Sequence, residues 1–180
     1  MNQTADLTEK TLSREEKYQG SFLSLHVDQV QLPNGRTSFR EVVEHVDGVA
    51  ILALDDNVLT VTQYRYVIGK TLLEIPAGKL EPGEDPVAGA LRELKEETGA
   101  VPDTFLPMGV TLPSPGCLSE RLYLFLAKGL HMESQQLDED EFLNVERIPF
   151  NEMVHRVMDG EIEDSKTIAA VLKAKVLLNL

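Results

Sequence analysis

Three glutamates and one arginine stand close together in a short segment of the sequence. Glu96 and Glu97 follow Glu93 by three and four residues, and Arg92 directly precedes Glu93. In a helix this spacing places the three carboxylates on one stripe of the surface. Such a stripe is either a solvated acidic face, relieved by Arg92 and Lys95, or a site for Mg²⁺ or Mn²⁺, which prefer oxygen ligands beside phosphate oxygens. Helical periodicity alone favours the solvated face.

The segment around these glutamates carries the signals of a helix. Asp85 is a suitable N-cap, Pro86 fits the first helical position, and Gly99 is suited to the position after the last turn. Apolar residues recur at helical spacing and predict a buried face on the side away from the glutamates. That face is formed by Val87, Leu91, Leu94 and Thr98.

The wider spacing decides between the two interpretations. Gly78 is followed after five residues by Glu84, and after seven more by the run RELKEETG at residues 92–99. This pattern resembles the Nudix box, the defining motif of the Nudix hydrolases. Only Ala100 departs from it, because the family usually has a larger aliphatic residue there. The resemblance favours the metal site over the solvated face.

The resemblance implies a loop–helix–loop that binds divalent cations and hydrolyses a nucleoside diphosphate linked to another group. It assigns metal ligation to the carboxylates of Glu93, Glu96 and Glu97 and to the backbone carbonyl of Ala77. It assigns Arg92 the task of orienting a box glutamate, so Arg92 counts with Glu96 and Glu97 among the catalytic residues. The supporting residues are Gly78, Glu84 and Gly99. Mg²⁺ is the expected cofactor, with Mn²⁺ or another divalent cation as a substitute.

A second acidic cluster occupies residues 138–141. A calcium loop is a poor fit to it because the mid-loop glycine is missing, and a solvated loop is the simplest interpretation. In the branch of the family discussed next, however, a mobile loop at this place supplies the catalytic base and one metal ligand. The resemblance matches Glu139 to the base and Glu141 to the ligand, and the two roles could be exchanged.

Features outside the box resemble the ADP-ribose pyrophosphatase branch of the family. Pro115 lies fifteen residues after Ala100, although Pro and Gly are also ordinary turn residues. The runs QYRY at 63–66 and EIPAG at 74–78 are a second likeness, and the hairpin that ends near residues 40–41 is a third. By this resemblance the substrate-binding residues are Arg40, Glu41, Arg65, Pro115, Gly116 and Glu120.

The branch implies a homodimer whose N-terminal regions exchange between subunits, so that Arg40 and Glu41 reach the substrate from the partner chain. The implied reaction is hydrolysis of ADP-ribose to AMP and ribose 5-phosphate. Two alternatives stay open. The substrate could be another nucleoside diphosphate derivative, such as a nucleotide sugar, a dinucleotide, a flavin nucleotide or an oxidised nucleotide. Alternatively, the chain could be a catalytically silent nucleotide sensor, although the three intact box glutamates argue against it.

The net charge excludes several other partners. The chain of 180 residues has 17 Lys and Arg against 30 Asp and Glu, which gives a net charge of −13. Binding of nucleic acid or of an anionic membrane surface rests on basic residues, so we expect neither. The 42% of hydrophobic residues is normal for a packed domain. Together, residues 78–100 and 138–141 account for −7 of the net charge. In a cation site this charge would attract the cations through which an anionic substrate is bound.

The expected compartment is the cytoplasm. Cys117 is the single cysteine, so no disulfide can form within the chain, and we interpret it as an incidental thiol. The first residues lack the apolar core of a signal peptide, and no apolar run approaches the ~20 residues that span a bilayer.

Alternating and helical patterns predict the elements that must position these residues. Residues 1–18 are predicted to be a polar lead-in, helical or frayed. The predicted strands are 21–32, 37–46, 48–54, 57–66, 71–78, 104–112, 121–127 and 141–148, and two helices follow at 151–160 and 165–178. This is an α/β chain, and the resemblance implies an α/β/α sandwich with a mixed sheet plus a small N-terminal β-hairpin region. The expected domains are residues 1–45 and 46–180.

Overall fold

The computed structural model of the protein describes residues 6–139 and 141–179. These residues form two compact units. The N-terminal unit consists of the described residues up to Val46 together with Ser114–Glu120. The larger unit consists of Asp47–Pro113 and the described residues from Arg121 onwards. The segment Ser114–Glu120 is grouped with the N-terminal unit, and it lies within the range 46–180 expected for the second domain.

The N-terminal unit is built on a three-stranded antiparallel sheet in the order β1-β2-β3. Its strands are β1 (Lys10–Gln19), β2 (Leu23–Gln31) and β3 (Thr37–His45). The predicted hairpin of β2 and β3 is confirmed. The prediction of a helical or frayed lead-in is wrong for residues 10–18, because β1 pairs with β2 along its whole length. Every residue of β1 is exposed, so this strand lacks the alternation of buried apolar residues that sequence reading relies on. Residues 1–5 of the same prediction lie outside the described residues.

The described part of the larger unit contains a seven-stranded mixed sheet, three α-helices and a 3₁₀ helix at Tyr66–Ile68. The strands are β4 (Gly48–Leu54), β5 (Asn57–Arg65), β6 (Lys70–Glu74), β7 (Ala77–Lys79), β8 (Ala100–Thr111), β9 (Leu122–Met132) and β10 (Leu143–Pro149). The helices are α1 (Pro86–Thr98), α2 (Phe150–Met158) and α3 (Ser165–Leu177). The sheet order is β10-β5-β4-β9-β8, with β6 also paired to β5 and β7 to β4. Because β4 and β9 run parallel and the other pairs run antiparallel, the sheet is mixed as expected.

The central strand β4 is buried on both faces and separates two apolar clusters. Ala50, Leu52 and Leu54 pack in one cluster with residues of α2 and α3. The alternate residues of the strand pack in the other cluster, which includes Ala90 and Leu94 of α1. Because successive residues of a strand point to opposite faces, helices cover both sides of the sheet. The expected α/β/α sandwich is confirmed.

The predicted strand 71–78 is divided in two. Residues Ile75 and Pro76 separate β6 from β7, and the two strands pair with different neighbours, β5 and β4. Proline has no N–H to donate to a ladder, which is consistent with the break at Pro76. Among the described residues, none of the helices is long and apolar enough to cross a membrane.

Candidate active site

Helix α1 is fixed at both ends in the way the sequence predicts. The Asp85 side chain accepts hydrogen bonds from the backbone N–H groups of Val87 and Ala88, at 3.0 and 3.2 Å. At the other end Gly99 has a φ of 73°, and its N–H donates to the carbonyl of Lys95 at 2.7 Å. A Cβ at Gly99 would lie 2.3 Å from the carbonyl oxygen of Glu133, so both conformation and space require glycine.

The buried face of α1 agrees only in part with the predicted one, since Leu94 and Thr98 are buried as predicted. Val87 and Leu91 are 44% and 37% exposed, whereas Glu93 and Glu97 are only 8% and 3% exposed. The helix packs on the sheet through Ala90 and Leu94 and turns two carboxylates inward. Hydrophobic periodicity fails here because it assigns every carboxylate to solvent.

Arg92 joins four oxygens of three carboxylates. Its Nε and Nη2 donate to the two oxygens of Glu84 at 2.9 and 3.0 Å. Its Nη1 donates to both Glu93 and Glu96 at 2.9 Å. The guanidinium holds the pKa of Glu84 far below its usual value, at about 2. The structure therefore brings together the box arginine and the carboxylates that the resemblance assigns to it.

The absence of a side chain at Gly78 leaves space for the carboxyl group of Glu93. A Cβ built on Gly78 would lie 1.9 Å from the Cδ atom of the Glu93 carboxyl, so any larger residue would displace that group. Burial raises the pKa of Glu93, with Glu96 and Glu141 adding to the effect and Arg92 opposing it. Strand β7 and helix α1 are thus in close contact at the Glu93 carboxyl group.

Glu97 is the most deeply buried carboxylate of the box. Its Oε2 accepts a hydrogen bond from the backbone N–H of Ala77 at 3.0 Å. The pKa of Glu97 is raised to about 8, chiefly by burial. The Ala77 N–H lowers this pKa, while the neighbouring Glu93 and Glu141 raise it. No ion pair joins Glu97 to a basic side chain within the described part of the chain.

The two glutamates of the acidic loop differ in position. Glu141 lies near enough to Glu93 and Glu97 to raise the pKa of both. It closes a turn with Asp138, whose backbone N–H donates to the Glu141 side chain at 3.3 Å. Glu139 is exposed, and no contact between it and the box glutamates is present among the described residues. Asp140 lies outside the described residues.

The donor set suits a hard divalent cation. No three His, Cys, Asp or Glu side chains in residues 6–139 and 141–179 are arranged to hold a metal ion as they stand. Arg92 binds Glu93 and Glu96, and the Ala77 N–H binds Glu97. The chemistry nevertheless fits, since carboxylate oxygens lie close together and burial and neighbouring carboxylates disfavour the charge on Glu97. The residues that would hold the cation are those expected from the sequence: Ala77 through its carbonyl, Glu93, Glu96, Glu97 and Glu141.

Arg65 lies in the larger unit and is held by a buried carboxylate. Its Nε and Nη2 donate to the two oxygens of Glu74 at 2.7 and 2.6 Å. Glu74 is 1% exposed, and it also accepts a hydrogen bond from Lys166 of α3. The Arg65 side chain itself is 40% exposed, so part of the guanidinium is available to a ligand.

The other predicted substrate-binding residues lie in the N-terminal unit. Arg40 forms an ion pair with Glu9, while Glu41 is exposed on the same strand. Glu120 lies 3.7 Å from His45. Pro115 and Gly116 form a turn after Ser114, whose carbonyl accepts from the N–H groups of the two residues that follow Gly116.

Sequence reasoning missed three residues around the site. Glu74 and Lys166 are 92 positions apart in the sequence, so no local pattern links them. Lys166 follows the helix N-cap Asp164, a place where lysine usually lies in solvent. The third is Gly89 in α1, where a Cβ would lie 2.5 Å from the Leu80 side chain. A glycine inside a helix was the available signal for a close approach.

Comparison with known proteins gives matches over nearly the whole chain. A model described as "NUDIX domain" matches residues 44–171, and one described as "Nucleoside diphosphate sugar hydrolase N-terminal domain" matches residues 9–43. The chain is 41% identical to the ADP-ribose pyrophosphatase of Bacillus subtilis (strain 168), covering 92% of this chain and 91% of that protein. It is 42% identical to the methanol dehydrogenase activator of Bacillus methanolicus, covering 91% and 90%. A solved structure titled "Crystal structure of ADP compounds hydrolase" matches its fold with a TM-score of 0.85 at 22% identity, covering 98% and 97%.

Proposed function

Because the chain belongs to the NUDIX family, we propose that it is a pyrophosphohydrolase that cleaves ADP-ribose to AMP and ribose 5-phosphate. The observation that carries this proposal is the buried carboxylate cluster of α1, organised by Arg92 and lacking a basic partner at Glu97 among the described residues. The substrate rests on the 41% identity to a protein named ADP-ribose pyrophosphatase.

Mg²⁺ is the proposed cofactor, and Mn²⁺ or another divalent cation would replace it. When bound, the cation supplies positive charge that offsets the negative charge of the pyrophosphate. The chain's own residues then have distinct tasks. Arg92 holds the carboxylates of Glu93 and Glu96 in place, while Arg65 presents a partly exposed guanidinium to the substrate.

A carboxylate of the acidic loop accepts the proton of the attacking water in this proposal. Glu141 lies beside the box glutamates, which supports a role as metal ligand. Glu139 is then the base, and a movement of its loop would bring it to the substrate. In the alternative, the two glutamates exchange these roles. The variants Glu139→Gln and Glu141→Gln distinguish the two assignments. Loss of the base lowers kcat, whereas loss of the metal ligand raises the concentration of Mg²⁺ that activity requires.

We further propose a homodimer in the cytoplasm, with residues 1–45 as a substrate-recognition region and 46–180 as the hydrolase domain. Arg40 and Glu41 would serve the partner subunit's substrate, while Pro115, Gly116 and Glu120 would contribute to recognition. Nucleic acids and membranes are not expected partners, since the net charge is −13.

A substrate panel tests the proposed reaction. Purified protein with Mg²⁺ is given ADP-ribose, GDP-mannose, a diadenosine polyphosphate, flavin adenine dinucleotide and an oxidised nucleoside triphosphate, and the products are separated by chromatography. We expect ADP-ribose to have the highest kcat/KM, with AMP and ribose 5-phosphate as products. The Glu97→Gln protein, purified in the same way, is the control for contaminating hydrolases. Hydrolysis of ADP-ribose no faster than that of the other compounds would contradict the proposal.

A nucleotide sugar is the second candidate substrate. The match of residues 9–43 to the N-terminal domain of nucleoside diphosphate sugar hydrolases favours it. A higher kcat/KM for GDP-mannose than for ADP-ribose would support this alternative. Absence of hydrolysis of every compound, with binding of one of them retained, would support the nucleotide sensor instead.

A further inference from the structure

A network of four charged side chains lies in the larger unit outside the box helix. Glu74 is at its centre and accepts hydrogen bonds from Arg65 of β5 and from Lys166 of α3. Lys166 also donates to Asp164 at 3.0 Å. The side chains of Glu74 and Lys166 are 1% and 9% exposed, so this is a buried network and not a surface ion pair.

The network is anchored to the start of α3. One oxygen of Asp164 binds Lys166, and the other accepts the backbone N–H of Thr167 at 3.0 Å, which caps the helix. The hydroxyl of Thr167 in turn accepts the backbone N–H of Ile75, next to Glu74, at 2.9 Å. Two contacts therefore fix the segment at Glu74 relative to α3.

The same segment leads directly to the box. Glu74 is three residues before Ala77, whose N–H binds the carboxylate of Glu97. Glu74 thus has Arg65 on one side and a short, fixed connection to the box glutamates on the other. An arginine held on this carboxylate through two of its nitrogens, Nε and Nη2, has a defined orientation with respect to the box.

The Arg65 side chain borders open space into which it could move from that orientation. It lines a cavity of about 430 Å³ together with Glu74 and Lys166, and the walls include Tyr64 and Tyr66. Without Lys166, one oxygen of Glu74 would lose a donor and the carboxylate would be free to rotate, taking the guanidinium with it. Because Lys166 is itself paired with Asp164, the four side chains carry no net charge and no buried charge is left unpaired.

We propose that Lys166 is a positioning residue that acts through Glu74 to hold the Arg65 guanidinium where it contacts the substrate. The inference rests on the proposed function, because the substrate must carry the anionic group that Arg65 binds. Lys166 itself does not contact the substrate.

A double-mutant cycle tests the proposal. KM and kcat for ADP-ribose are measured for the wild type, Lys166→Met, Arg65→Met and the double variant. In the wild-type background, Lys166→Met is expected to raise KM about tenfold with a smaller change in kcat. In the Arg65→Met background the same substitution is expected to change KM less than about twofold, since its route to the substrate is already absent.

Control variants separate positioning from general stability. Lys166→Arg keeps a cation beside Glu74 and is expected to restore KM to near the wild-type value. Lys173→Met removes an exposed lysine two turns further along α3 and is expected to leave KM unchanged. If Lys166→Met does not fold, Lys166→Gln is used in the same cycle. It keeps only a weaker, uncharged donor to Glu74, so we expect a smaller rise in KM that Arg65→Met again abolishes.

Two results would overturn the inference. One is an unchanged KM in the folded Lys166 variant. The other is an equal rise in KM with and without Arg65, which would indicate a structural effect that does not pass through the guanidinium. Failure of the proposed function is recognised separately, because the wild-type protein would then not hydrolyse ADP-ribose. The cycle is in that case repeated with the best substrate of the panel.

Discussion

Glu74 and Glu97 are two buried glutamates in the same unit, and the chain treats their charges in opposite ways. They are 1% and 3% exposed. Burial tends to raise the pKa of Glu74, but hydrogen bonds and charges from Arg65 and Lys166 outweigh it and hold the pKa below its usual value. Burial, together with neighbouring carboxylates, raises the pKa of Glu97 to about 8. The charge of Glu74 is balanced by two basic side chains of the protein. The charge of Glu97, when the group is ionised, lies instead beside further carboxylates.

The difference has opposite consequences for stability. The folded-state pKa of Glu97 lies above its unfolded value, so ionising this group opposes folding as the pH rises from about 4.5 to about 8. The pKa of Glu74 is lower in the folded chain than in the unfolded chain, so its ionisation stabilises the fold at pH values above the unfolded-state pKa. This stabilisation is lost as the pH falls through the folded-state pKa. A group that weakens the fold at neutral pH indicates a role in binding, and here the fitting ligand is a divalent cation.

The largest expected effect is on activity. Glu97→Gln keeps the size of the side chain and an oxygen for the Ala77 N–H but removes the charge that would bind a cation. We expect kcat/KM for ADP-ribose to fall about 1000-fold or more. The thermal unfolding temperature in the presence of a chelator should stay the same or rise. A large loss of stability with activity retained would assign Glu97 a structural role.

The matching substitution at the neutralised site should act on stability. Glu74→Gln leaves Arg65 and Lys166 without their shared carboxylate, so we expect the free energy of unfolding to fall by about 3–5 kcal/mol in urea titrations. Glu146→Gln on β10 removes an exposed carboxylate and should change it by less than about 0.5 kcal/mol. If Glu74→Gln is as stable as the control, the claim that the charge of Glu74 stabilises the fold is wrong.

A smaller effect is expected where β7 contacts α1. Gly78→Ala places a methyl group where the Glu93 carboxyl lies, and the predicted displacement should lower kcat/KM about 100-fold. Because the overlap involves the end of a side chain, circular dichroism and the unfolding temperature should change little. Activity near the wild-type value would show that the position of Glu93 is not critical.

The smallest effect tests the corrected face of α1. Val87→Ala and Leu91→Ala should each reduce the free energy of unfolding by only about 0.5 kcal/mol, because both side chains are substantially exposed. Leu94→Ala, at a position that is 0% exposed, should cost about 2–5 kcal/mol. Equal losses of unfolding free energy at the three positions would show that Val87 and Leu91 are buried, as the sequence predicted.

Much of this architecture follows from local sequence. The caps of α1, the hairpin of β2 and β3 and the strands β4 and β5 carry turn residues and apolar patterns that depend only on neighbours in the chain. The box itself is recognisable because its spacing is fixed by one loop and one helix.

What could not be predicted depends on contacts distant in sequence or on buried charge. The exposed strand β1 forms through its ladder with β2 and has no apolar pattern of its own. The local sequence predicts that Lys166 lies at the surface, whereas its burial depends on Glu74, which is far away in the chain. The inward orientation of Glu93 and Glu97 is hidden for the same reason, since hydrophobicity places such residues in water.

Stabilisation by Mg²⁺ tests the central claim most directly. The free energy of unfolding is measured at pH 8 with a chelator and again with millimolar Mg²⁺, for the wild type, Glu97→Gln and Glu74→Gln. A cation that binds only the folded chain stabilises it, so we predict a gain for the wild type and for Glu74→Gln but none for Glu97→Gln. An equal gain in the wild type and Glu97→Gln, or no gain in any of the three, would contradict the assignment of the charge on Glu97 to a divalent cation.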